Sequence, residues 1–328
     1  LDLTGCEGEV LREADVVLAV GVRDLEAAVS RTDDGSRAVT RMTGSDARIV
    51  DLGLRYSGMR SWLAESGRPL PVAECITARP DLGLRALLER LRASIPDEAE
   101  SPAAREARER RAARWAEVRR RTRDGWLQQA RASAGEVPIA LSTLALAVGE
   151  ALRGHEIVLA NGTANGWARR VWTWDRPDVF LGDSGGYGKG YGPGATVGVA
   201  LAHRRSHRVV LDLQGDGDLL YTPASLWTAA HHRLPMLVVV LNNRSYYQDE
   251  GHQRKLARAR GRSLERAGVG VRIEDPEVDI PALARSLGVF AEGPVHRADD
   301  LPRALDAALR VVVDDRRPAL VDVITQPR

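Results

Sequence analysis

Two apolar runs, 209–213, broken only by Asp212, and 236–241, are each followed by a polar cluster: Gly215-Asp216-Gly217-Asp218 after the first, Asn242-Asn243 after the second. Short apolar runs without alternation belong to strands covered on both faces, the usual state of a parallel sheet. Between them Thr222 and Pro223 form a helix start, threonine as N-cap and proline at the first helical position, and the helix reads to residue 232. Strand, helix and strand in that order make a βαβ unit with a right-handed crossover and neighbouring strands. Both polar clusters then lie at the carboxyl edge, where open α/β sheets bind ligands, and Asp216 and Asn243 converge there.

A carboxylate, an amide oxygen and a nearby backbone carbonyl form half of a hard-oxygen shell, which suits Mg²⁺ completed by phosphate oxygens and water. Flanking glycines let the backbone approach a diphosphate closely. With 31 glycines in 328 residues, chance supplies a GDG triplet in roughly one such chain in five. Asparagine occurs only at 161, 165, 242 and 243, so an adjacent pair directly after the second strand is what makes the combination informative.

Towards the N-terminus, residues 9–22 read as a helix end followed by a strand buried on both faces. Residues 47–54 and 72–77 repeat the strand signal, and 82–95 form an amphipathic helix with leucines at 82, 84, 87, 88 and 91. Residues 105–123 are rich in arginine, but glutamates at 106, 109 and 117 stand three or four residues from arginines, as on a solvated bridging helix. From residue 137 a helix (141–152), a strand (156–160) and a Gly-rich stretch (182–198) lead into the βαβ unit. The expected fold class is α/β, two open mostly parallel-sheet domains joined by a helical linker. Domain 1–96 is a partial α/β domain, 97–136 the linker and 137–328 the ligand-binding domain.

Composition narrows the function. A chain 44% hydrophobic and 28% charged buries a core, and 47 basic against 45 acidic residues, interleaved, leave no field that would attract nucleic acid. No apolar run reaches the roughly 18 residues of a membrane span and no signal pattern opens the chain, so a cytoplasmic protein is expected. Cys6 and Cys75, far apart and without CxxC spacing, imply neither a disulfide framework nor a zinc site. The start at Leu1 without methionine leads us to expect that a preceding segment is missing.

GDG, then 25 to 30 residues, then NN resembles the cofactor motif of thiamine diphosphate enzymes. The stretch LWTAAHHRLPMLVVVLNN is similar to the helix and strand of that motif in the acetolactate synthase, benzoylformate decarboxylase and pyruvate decarboxylase superfamily, and residues 190–195 (GYGPGA) resemble its Gly-rich segment. The resemblance implies that 137–328 has the thiamine diphosphate-binding fold and 1–96 is the later part of a central domain. It implies Asp216 and Asn243 as side-chain ligands of Mg²⁺ and Ser245 as a carbonyl ligand, with Gly215, Gly217, Asp218, Leu219, Tyr191 and Tyr246 lining thiamine diphosphate. The turn at Asn161, Gly162 and Thr163 would add diphosphate contacts. The loop 244–253 would run beside the reacting ring, with Tyr247 and His252 as groups that move protons.

The same alignment puts Lys189 where the family has a large apolar side chain wedged against the cofactor. An ammonium about 4 Å from a cationic ring is repelled by roughly 4 kcal/mol at an effective dielectric of 20, so Tyr187 or Tyr191 is expected to supply the wedge. The implied activity is cleavage or formation of a carbon–carbon bond next to the carbonyl of a 2-oxo acid. The implied partners are a pyrimidine-binding domain, in cis or from another subunit, that carries the activating glutamate, and further copies of the chain in a homodimer or homotetramer. Two alternatives are a non-catalytic or regulatory cofactor-binding paralogue or subunit, and an S-adenosylmethionine methyltransferase, which leaves Asn242-Asn243 unexplained. Trp167, Trp172 and Trp174 read as core or as an acyl pocket, and His231 and His232 as helix surface.

Overall fold

A computed structural model describes residues 3–22, 24–33, 36, 38–54, 70–94, 101–161, 166–181 and 189–327. The chain divides into two compact units, Leu1–Thr122 and Arg123–Arg328.

The first unit runs α1 (Glu7–Glu13), β1 (Val16–Val20), α2 (Leu25–Val29), β2 (Ser30–Thr32), β3 (Val39–Arg41), β4 (Arg48–Gly53), β5 (Glu74–Thr77) and α3 (Pro80–Ser94). Strands β1, β4 and β5 form a parallel sheet in that order, and β2 and β3 an antiparallel ribbon. Ala19, Leu25, Val29 and Ile49 make a small core. Strand β1 corrects an expectation: Val16 is 57% and Leu18 41% exposed, so this apolar run is not buried on both faces among the described residues. A run of valine and leucine carries no period that separates one covered face from two. Helix α3 approaches β4 through Gly83, where a Cβ would stand 2.7 Å from Leu52 Cδ1, while Leu82, Leu84, Leu88 and Leu91 are exposed. Helix α4 (Pro102–Ala132) pairs Glu106 with Arg110, and Glu117 with Arg120 and Arg121. Exposed pairs of this kind contribute only a few tenths of a kcal/mol each, and the unit boundary falls inside the helix.

The second unit continues with α5 (Leu141–Ala151), β6 (Ile157–Asn161), α6 (Gly166–Val171), α7 (Tyr191–His203), β7 (Val209–Gly215), α8 (Asp216–Tyr221), α9 (Ala224–His231), β8 (Met236–Asn242), α10 (Tyr247–Ala259), α11 (Ile280–Ser286), β9 (Phe290–Val295), α12 (Leu301–Val313) and β10 (Ala319–Ile324). Its five strands are parallel in the order β6-β7-β8-β10-β9. Residues of β8 alternate between two cores: Leu237, Val239 and Leu241 pack with α5 and α12, Met236, Val238 and Val240 with α9 and α11. Helix α12 buries Leu301, Ala304, Leu305, Ala308, Leu309 and Val312, the stripe of a helix laid on a sheet. No helix among the described residues is long and apolar enough to cross a membrane.

The Gly-rich stretch is helical from Tyr191. Glycine at 192 allows close packing: a Cβ there would lie 2.2 Å from Gln214 Oε1 and 2.4 Å from Asn161 Nδ2. Asn161 is not in a turn but ends β6, buried, its amide donating to Asp212 Oδ1 at 2.9 Å and Gln214 Oε1 at 3.0 Å.

Asp212 is fully buried, and desolvation pushes its carboxyl up to about 7 against the pull of Asn161 and Thr196. An acid raised in the folded state destabilises it progressively as pH rises from the unfolded value near 4, and the full penalty holds above about 7. Asp212→Asn is therefore expected to melt close to the wild type at pH 4.5 and above it at pH 8, read by thermal melts across that range.

Candidate active site

The carboxyl ends of β7 and β8 open into a cleft of about 480 Å³. Gly215, Asp216, Gly217 and Asp218 line it from the β7 side, Asn243, Ser245 and Tyr246 from the β8 side, and Tyr247 and His252 from α10. The cleft thus gathers nine of the expected cofactor, metal and proton-moving residues. A larger hollow, about 730 Å³, includes Gly154, His155 and Glu156 just before β6, at the opposite edge of the sheet; Trp172 lines it, but none of the expected cofactor or metal residues does.

Asp216 is 3% exposed, and its Oδ2 is buried without a hydrogen-bond partner. Burial pushes its carboxyl up to about 6, held back by the backbone of Gly217, Arg244 and Ser245, so the ends of β7 and β8 do meet at this group. Asn243 Oδ1 accepts the Ser245 N–H at 3.0 Å and Asn242 Oδ1 accepts the Arg244 N–H at 3.2 Å, two successive side-chain turns that leave Arg244 at φ 56°. Asn243 Oδ1 keeps a second lone pair. A Cβ on Gly215 would meet nothing within 4 Å, so the missing side chain leaves room in the cleft. An orphaned carboxylate oxygen, an amide oxygen with spare capacity and a carbonyl-bearing loop are the donors a hard divalent cation takes, and the open space at Gly215 admits the anion that would accompany it.

Several side chains have work other than the one expected. Asp218 Oδ1 accepts the Gly190 N–H at 2.6 Å and its Oδ2 the Gln214 Nε2 at 2.8 Å. Thr222 is not a helix cap; Pro223 occupies the cap position and the threonine hydroxyl donates to Gly190 O at 2.9 Å. Together they pin the Lys189-Gly190 turn, both residues left-handed at φ 59° and 80°. Lys189 lines the cleft, whereas Tyr191, the first residue of α7 and 44% exposed, does not, which leaves Tyr187 as the expected wedge. The Leu219 side chain is fully buried in the core. Tyr187, Gly162 and Thr163 lie outside the described residues. Gly217 passes under the Tyr246 ring, where a Cβ would stand 2.5 Å from Cε1.

The segment read as a loop over 244–253 is helical from Tyr247, so Tyr247 and His252 stand on α10. Gly251 and the paired tyrosines hid a helix whose first turn carries Asp249 and Glu250, favourable at that end. Glu250, 5% exposed and missed in the sequence, accepts from Arg254 Nη2 at 2.7 Å and Ser245 Oγ at 3.3 Å, tying α10 to the loop after β8. Its spacing of four from Arg254 was the available signal. The tryptophans are core: Trp172 is buried and donates to Ala145 O at 2.7 Å, with Trp167 and Trp174 packed against the same cluster. His231 stacks on Trp227 at 4.9 Å.

Residues 160–323 match the family described as thiamine pyrophosphate enzyme, C-terminal TPP binding domain, and the chain belongs to that family. It is 30% identical over 172 residues to benzoylformate decarboxylase of Pseudomonas aeruginosa, a match covering 51% of this chain and 28% of that protein. It is also 30% identical over 182 residues to chloroplastic acetolactate synthase 1 of Nicotiana tabacum, covering 53% and 25%. A solved Rhodococcus jostii RHA1 thiamine diphosphate-dependent 4-hydroxybenzoylformate decarboxylase superposes with a TM-score of 0.62 at 20% identity, over 98% of this chain and 50% of its own. The matches therefore span half or less of the relatives' lengths. Membership in this family replaces the methyltransferase alternative.

An orphaned buried carboxylate weakens the fold that contains it. Asp216→Asn is expected to raise the melting temperature of the ligand-free protein at pH 8 by a few degrees, as differential scanning calorimetry would read; a lower melting temperature would show that the carboxylate is satisfied.

Proposed function

We propose that this chain binds thiamine diphosphate with Mg²⁺ in the cleft at the β7–β8 edge and contributes the diphosphate-binding part of a site that cleaves or forms a carbon–carbon bond next to the carbonyl of a 2-oxo acid. Residues 137–328 form the cofactor-binding domain in this reading, 97–136 the linker and 1–96 the later part of a central domain. The observation that carries it is the buried, unpartnered Asp216 Oδ2 in one cleft with Asn243 and Ser245.

Asp216 and Asn243 hold Mg²⁺ through side chains and Ser245 through its carbonyl. Gly215 and Gly217 keep the cleft floor free of side chains. Bound thiamine diphosphate supplies the electron sink for the bond cleavage. The Tyr247 hydroxyl and the His252 imidazole, carried on one rigid helix, move protons to and from the substrate carbonyl oxygen. A pyrimidine-binding domain, in cis or from another subunit of a homo-oligomer, completes the site. One observation favours a second reading, a cofactor-binding subunit without turnover: Lys189 brings an ammonium to the cleft wall.

Thermal melts with Mg²⁺ and thiamine diphosphate test the reading. A ligand at 100 times its Kd adds about 2.7 kcal/mol to the native state, a shift of several degrees. The shift is expected to vanish with EDTA, in Asp216→Ala and in Asn243→Ala; equal shifts in the wild type and both variants would remove the assignment. Turnover of a 2-oxo acid once a pyrimidine-binding domain is supplied separates the enzyme from the silent subunit.

A further inference from the structure

The two adjacent asparagines do different work, and the difference leads to a residue eighty positions away. Asp322 stands on β10, 1% exposed, in register with Val240, while Asn242 pairs with Ile324. Asp322 and Asn242 are thus diagonal neighbours across two parallel strands. Asn242 Nδ2 reaches Asp322 Oδ1 at 3.1 Å and Oδ2 at 3.4 Å, while Asn242 Oδ1 accepts the Arg244 N–H.

A carboxylate only accepts hydrogen bonds, so the amide nitrogen of Asn242 must face Asp322 and the amide oxygen must face the loop. Flipping the amide would set oxygen against oxygen and take the acceptor from Arg244. That acceptor matters because Arg244 is left-handed at φ 56°, a conformation in which its Cβ crowds the following carbonyl and which therefore needs support. The following residues are fixed from the other side, Tyr246 N–H to Val271 O and Ile273 N–H to Arg244 O, both at 2.8 Å, and Arg244 Nη1 pairs with Glu277 at 2.7 Å. The turn that aims Asn243 and Ser245 therefore hangs between this bridge and Asn242.

We infer that Asp322 is a positioning residue for the cation loop: by fixing the amide orientation of Asn242 it holds Arg244 in its left-handed turn and so aims Asn243 and Ser245 into the cleft. The inference rests on the reading of those two residues as cation ligands. Asp322 itself touches no ligand.

The test is the affinity of the full chain for Mn²⁺ substituted for Mg²⁺, in the presence of thiamine diphosphate, read by the Mn²⁺ electron paramagnetic resonance signal. The pH is held at 8.5, above the value of about 7 to which burial raises Asp322. Asp322→Ala and Asn242→Ala are each expected to weaken Mn²⁺ binding about tenfold, and the double variant no further, since both break one contact. Asp322→Asn, which keeps an acceptor oxygen, stays within about twofold of the wild type. Arg244→Gly, which adopts the left-handed turn without support, restores the affinity of Asn242→Ala to within about threefold. Additive losses, unchanged affinity in Asp322→Ala, or failure of both rescues would overturn the inference while leaving the cation site standing. Absence of binding in the wild type would overturn the cation site and this inference with it. Should Asp322→Ala fail to fold by circular dichroism, Asp322→Asn and the Asn242→Ala rescue decide the matter.

Discussion

Parallel pairing of β7 with β8 is the constraint on which the site depends. The register sets Gly215, the last residue of β7, opposite Leu241, the residue before the end of β8, so Asp216 and Asn242 emerge at one edge. The six residues of β8 ahead of Asn242 are apolar, and all seven are buried. Each large apolar side chain there contributes about 1.5–3 kcal/mol of burial, which offsets a carboxylate held in the same edge without a hydrogen bond to one of its oxygens.

Along the flanks of that edge the protein uses one device twice. Asn161 on β6 gives its amide to Asp212 on β7, and Asn242 on β8 gives its amide to Asp322 on β10. In each pair a buried acceptor fixes which way an amide points, and the amide passes that direction on: to Gln214, and from Gln214 to Asp218 and Gly190 in one case, to Arg244 in the other. Both chains of contacts end at a left-handed residue on the turns beside the cleft. Buried carboxylates are costly, and their concentration here follows the general opposition between a stable fold and a prepared site.

The sequence was legible where burial is complete. Strands β7 and β8 declared themselves because apolar runs stop abruptly at polar clusters, and the two clusters meet as the βαβ rule requires. It is less legible where one residue decides the outcome: Asn161, next to Gly162, reads as the start of a turn although it closes β6, and Thr222 resembles a cap although its hydroxyl serves Gly190. Helix α10 was hidden by Gly251, which lowers helix propensity but is tolerated within a turn already fixed by Glu250 and Arg254. In the first unit β1, an apolar run that reads as a strand covered on both faces, exposes Val16 and Leu18, because cover depends on which elements lie above and not on the run itself. The stretch from 280 to 324 holds four sheet-covering or sheet-forming elements that no motif in the sequence marks, among them the strand that holds Asp322.

The place of β8 also has a cost during synthesis. Its partner β7 is made before it, but its other neighbour, β10, emerges eighty residues later. For that interval Met236–Asn242, seven apolar or amide residues without charge, proline or glycine, presents an open row of backbone donors and acceptors. A nascent chain in that state invites pairing with another copy, so the strand whose end carries Asn242 in the mature fold is an open edge in the unfinished one.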